Sequence, residues 1–117
     1  MGFLTTHILD TAHGCPAGNV RIGIYRVANN RTHHLIDAVT NEDGRCEDPI
    51  LKNDDFIIGT YELHFHIGDY FKGKGVDLVA PNFLDVIPVR FGINLPEEHY
   101  HVPLLVSPFS YSTYRGS

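Results

Sequence analysis

Tryptophan is absent from this 117-residue chain, and it has one methionine and two cysteines. Cys15 and Cys46 stand in turn-like surroundings, Gly14-Cys15-Pro16 and Arg45-Cys46-Glu47, without a Cys-x-x-Cys spacing. That leaves no thiol pair at metal or redox spacing; free thiols are expected, with a disulfide as the alternative. No apolar run approaches the ~18 residues that signal a membrane span, so no membrane partner is expected. Excess positive charge is also missing. The net charge of −5 argues against a nucleic-acid or anionic-lipid surface. Residues 1–10 lack the basic start and apolar core of a secretory signal, so a cytoplasmic protein is expected.

What remains is an ordinary globular composition, 43% hydrophobic and 20% charged. The length suits one domain over 1–117, able to bury roughly two-thirds of its unfolded surface. Leu4 to Asp10 alternates, with Leu4, Thr6 and Ile8 on one face and Thr5, His7 and Leu9 on the other. Gly14, Pro16 and Gly18 mark a loop, and Val20 to Val27 alternates again before Asn29-Asn30. Thr32 to Thr40 is a third strand, closed by Asn41-Glu42-Asp43-Gly44, a tight-turn pattern that presents Arg45 at its exit.

Gly59 to Ile67 sets Tyr61, Leu63, Phe65 and Ile67 against Glu62, His64 and His66. A short helix fits only Gly68 to Lys74. Asp85 to Ile93 alternates but contains Pro88, which places it at an edge or a bulge. Two strands follow, one carrying His99 and His101, with Tyr100, Val102, Leu104 and Val106 as its core face. About eight short strands with one short helix predict an all-β, antiparallel β-sandwich.

Histidine is over-represented, at eight residues. His99 and His101 share a strand face about 7 Å apart, as do His64 and His66. Solvated polar residues are one reading, and the natural one for His33, His34, His64 and His66. A His-x-His transition-metal site is a second, although no acidic or thiol ligand sits at a suggestive spacing. A general base that activates water is the third, because the imidazole pKa lies near neutral pH. Spacing alone leaves these open.

Three motifs then carry a resemblance that spans nearly the whole chain. Leu4-Thr-Thr-His-Ile-Leu-Asp-Thr-Ala-His-Gly-Cys-Pro-Ala-Gly18 resembles the opening of the 5-hydroxyisourate hydrolases, the enzyme branch of the transthyretin family. Thr40 to Cys46 is similar to their central motif. His99 to Phe109 and Tyr114-Arg115-Gly116-Ser117 are similar to their C-terminal signature. Departures are Phe83-Leu84-Asp85-Val86, Pro88 and Cys15.

The resemblance implies a transthyretin-like sandwich and a homotetramer with active sites at the dimer–dimer interface. It implies hydrolysis of 5-hydroxyisourate in urate degradation, without cofactor or metal. The catalytic residues it implies are His7, Arg45 and His101, with His7, Arg45, Tyr114 and Ser117 binding substrate. Arg115 would lock the tail through an ion pair, and His99 would stand behind the site or in solvent. A small-ligand carrier is the rival reading, but the polar set His7, Arg45, His101 and Tyr114 suits an apolar ligand poorly.

Overall fold

The structure, a computed structural model, describes residues 1–116. Ser117, expected to bind substrate, lies outside the described residues. The chain runs β1 (Phe3–Thr5), β2 (Ile8–Asp10), β3 (Cys15–Pro16), β4 (Arg21–Ala28), β5 (Arg31–Val39) and β6 (Leu51–Lys52). It continues through β7 (Gly59–His66), α1 (Ile67–Gly73), β8 (Val86–Ile93), β9 (Tyr100–His101), β10 (Leu104–Val106) and β11 (Tyr111–Thr113).

One sheet is antiparallel, in the order β5-β4-β7-β8. Its first hairpin turns at Asn29-Asn30, both at positive φ, the geometry that matches the twist of paired strands across a two-residue loop. Pro88 sits on β8, at the sheet edge, where a strand tolerates a missing donor. The helix falls within one residue of its expected bounds and buries Ile67, Tyr70 and Phe71 while Lys72 faces out.

The second layer departs from a purely antiparallel sandwich. The β1–β2 segment pairs in parallel with β9–β10, Leu4 beside Tyr100 and Ile8 beside Leu104. Val102 N–H donates to the Thr5 carbonyl and Leu104 N–H to that of His7, both across the break at Pro103. Side-chain alternation has period two in either orientation, so the sequence pattern could not distinguish them. β6 and β3 extend the layer on the β1–β2 side, and β11 pairs outside β10.

Between the layers lie Leu4, Ile8, Ile22, Ile24, Tyr61, Leu63, Phe65, Ile87, Ile93 and Leu104, all essentially inaccessible. Each comes from the apolar face of an alternating run, so burial fixes which side chains point outward. That is what places Thr5, His7 and His101 together on the outer face.

Candidate active site

Three segments meet on that face. Thr5 and His7 stand two residues apart at the β1–β2 junction, and the parallel register sets Thr5 directly beside His101. Arg45 arrives from the Asn41–Gly44 turn. The Asn41 side-chain oxygen accepts from the N–H groups of Asp43 (2.9 Å) and Arg45 (3.2 Å). Gly44 takes φ +75°, which glycine adopts without a Cβ penalty, and its carbonyl accepts from Ile8 N–H at 2.9 Å. His7 and Arg45 thereby form an antiparallel bridge. A cleft of about 330 Å³ results, lined by Thr5, Thr6, Arg45, Cys46, Asp48, His99 and His101.

The electrostatics keep both central histidines neutral. Burial pushes the His101 imidazole below its ordinary value, and Arg45, His99 and His7 add to the effect. Burial and then Arg45 lower His7, against an opposing pull from Asp43. Each ring therefore presents a basic nitrogen at neutral pH beside a permanent cation. Burial raises the Cys46 thiol, leaving it protonated and unreactive. Both cysteines are free.

Two other residues join the cleft. Thr5 Oγ1 lies 2.8 Å from His99 Nε2 and 2.8 Å from His101 Nδ1. His99 is exposed but packs against Phe3 in a tilted pair, with ring centroids 4.3 Å apart. Sequence reasoning passed over Thr5, although it had placed Thr5 on the His7 face. The missing information was the parallel register.

The tail is docked, but not as one unit. Gly116 N–H donates to the His101 carbonyl at 2.7 Å. Arg115 pairs with Glu98 at 2.8 Å and lies 4.1 Å over the Tyr100 ring. Tyr114 is 60% exposed and borders a separate depression with Val89, Phe91, Tyr100 and Arg115, away from the histidines of the same chain.

Of the histidines read as solvated, His33 is exposed, whereas His34, His64 and His66 have partners which that reading had not foreseen, and His13 has one too. His13 Nδ1 meets the buried Asp10 at 2.6 Å, and His34 meets Asp37 at 2.9 Å. His64 meets Glu62 at 2.8 Å and packs on Tyr25. Arg21 donates to His66 at 3.1 Å within another cleft, of about 420 Å³, beside α1. Among the described residues no group of three His, Cys, Asp or Glu is arranged to hold a metal ion.

Residues 4–116 match the HIUase/transthyretin family. The chain is 53% identical to the 5-hydroxyisourate hydrolase of Pseudomonas aeruginosa, over all of this chain and 93% of that one. Against the crystal structure of (S)-allantoin synthase the TM-score is 0.93 at 52% identity, covering 99% of this chain. The chain spans 44% of that protein's length. Sea bream transthyretin in complex with thyroxine gives a TM-score of 0.85 at 29% identity, over 97% of this chain and 93% of that one.

Proposed function

The chain belongs to the HIUase/transthyretin family, on its 5-hydroxyisourate hydrolase branch, and we propose that it opens the 5-hydroxyisourate ring by histidine-assisted attack of water on a lactam carbonyl. The product is 2-oxo-4-hydroxy-4-carboxy-5-ureidoimidazoline, in the breakdown of urate. One imidazole of the His7–His101 pair takes a proton from water as its oxygen bonds to the carbonyl carbon. The tetrahedral oxyanion then collapses, the C–N bond breaks, and the departing nitrogen receives the proton held by the imidazole. A placed base contributes typically 10²–10⁴-fold, or roughly 3–5 kcal/mol of barrier.

Arg45 holds the substrate's oxygens and meets the developing negative charge. Its planar fork is always charged and can engage two oxygens at once. The observation that carries the reading is the grouping at the cleft: His101 and Arg45 line it, His7 is bridged to Arg45, and both imidazoles are held below their ordinary pKa with this guanidinium as one cause. An apolar cargo would gain little from such a surface.

The active form in this reading is a homotetramer with sites at the dimer–dimer interface. Tyr114 is exposed on the isolated chain, as are Phe109 and Tyr111 nearby on the C-terminal hairpin. Packing against a second copy would cover them and give Tyr114, with Ser117, a substrate to contact. Sedimentation should report a tetramer; a monomer at assay concentrations would overturn this part.

The activity is tested by generating 5-hydroxyisourate from urate with urate oxidase and following its ultraviolet decay. The protein should accelerate that decay far above the spontaneous rate. Unchanged decay would overturn the reading.

A further inference from the structure

The hydrogen-bond arithmetic at Thr5 decides more than its own position. Its hydroxyl has two partners among the described residues, His99 Nε2 and His101 Nδ1, each at 2.8 Å. A hydroxyl carries one hydrogen, and a neutral imidazole carries one N–H. If Thr5 donates to His101, the ring proton of His101 sits on Nε2 and that nitrogen cannot accept. If Thr5 donates to His99, it accepts from His101 Nδ1–H, and Nε2 of His101 is left with its lone pair.

We propose that His99 and Thr5 are positioning residues that hold His101 as the Nδ1–H tautomer, making its Nε2 the nitrogen that takes the proton from water. The cleft favours this arrangement. Arg45 lines it with His101 and acts on the ring as a nearby positive charge, and a cation favours a lone pair over an N–H on the nitrogen that Thr5 does not hold. His99 is steadied by Phe3 at 4.3 Å, so its Nε2 stays in reach of Thr5. Gly116 fixes His101 from the far side: its N–H holds the His101 carbonyl, and a Cβ there would stand 2.6 Å from the imidazole Cδ2.

Among the described residues, the other charged or titratable groups near His101 are His7, across the junction, and Cys46 and Asp48, on the cleft wall. None of these three hydrogen-bonds His101, so among the described residues its Nδ1 is held by Thr5. When His101 takes up a proton at Nε2, its Nδ1–H keeps the same bond to Thr5. The chain His99–Thr5–His101 then needs no rearrangement between the resting and protonated states.

This inference rests on the reading of the cleft as hydrolytic, but its first readout needs no substrate. Long-range ¹H–¹⁵N correlation on histidine-labelled protein, above the pH at which the rings protonate, reports which nitrogen of His101 bears hydrogen. Wild type should show Nδ1–H, and Thr5→Val should shift His101 towards Nε2–H. In turnover, Thr5→Val should lower kcat by ~10-fold or more with KM within ~2-fold. Thr5→Ser, which restores the hydroxyl, should recover both the tautomer and most of kcat. His99→Gln, which keeps an acceptor, should be milder than His99→Leu. An Nε2–H tautomer in wild type, or a Thr5→Val protein with unchanged tautomer and kcat, would overturn the proposal. A wild-type protein that holds Nδ1–H yet does not turn over 5-hydroxyisourate would count against the hydrolase reading alone.

Discussion

Gly116 closes on His101: its N–H donates to the His101 carbonyl at 2.7 Å, and the imidazole leaves no room for a Cβ at this residue. The end of the chain thus braces a candidate base. Gly116→Ala inserts a methyl group 2.6 Å from His101 Cδ2, and either the ring or the tail must move. Overpacking of this kind costs about 1–3 kcal/mol. The tail is peripheral, so the damage should appear mainly in catalysis. We expect kcat to fall by about 10-fold or more, with the thermal midpoint lowered by only a few degrees. Removal of residues 114–117 should show the same asymmetry more strongly. Unchanged turnover in either variant would mean that the tail does not support the site.

The acid limb of the rate profile should lie low. Burial, with Arg45 next, holds both His7 and His101 below the ordinary imidazole value. A base works only while unprotonated, so activity is full above the lowered pKa and is lost as pH falls through it. With spontaneous decay subtracted, the midpoint of that limb should fall below the unperturbed value of about 6.5. A midpoint at or above it would remove these histidines as the titrating base.

Arg45→Lys keeps the charge but removes the planar fork. If Arg45 grips two substrate oxygens, kcat/KM should drop by about 10²-fold, with the fold intact by circular dichroism. An unchanged kcat/KM would reduce the arginine to a turn residue.

Asp10 offers a test of stability away from the cleft. Burial opposes its ionisation, but bonds from Tyr70 at 2.8 Å and His13 at 2.6 Å outweigh that, and its carboxyl is held below the usual range. Its stabilisation is therefore present above the unfolded carboxyl pKa of about 3.9 and is lost as pH falls through the lower folded value. In Asp10→Asn an amide NH₂ would face the Tyr70 hydroxyl and His13. Chemical denaturation at neutral pH should show a loss on the order of 2–3 kcal/mol, and the acid-side slope should flatten. A variant as stable as wild type would refute the assignment.

Much of this architecture was legible because burial acts on alternation. The faces Leu4/Thr6/Ile8 and Tyr100/Val102/Leu104/Val106 are buried as their patterns require, which leaves Thr5, His7 and His101 outside. The Asn41–Gly44 turn announced itself through residues that accept its geometry, and Pro88 marked an edge. Glu62 was not legible: it lies on the polar face of β7 yet is 7% exposed, covered by its partners His64 and Arg90. Nor was the exposure of Leu35, Ile36 and Val39 along β5, since an apolar residue on an outer face carries the same letter as one in the core. Thr5 escaped for a third reason, because its partners sit at the opposite end of the chain and only the parallel pairing brings them near.

The most direct test of the account is the turnover of His101→Asn on freshly generated 5-hydroxyisourate, beside wild type and with folding checked by circular dichroism. A histidine that takes the proton from water should, once replaced, cost at least about 100-fold in kcat while the fold survives. Turnover near that of wild type in a folded His101→Asn protein would contradict the account at its centre.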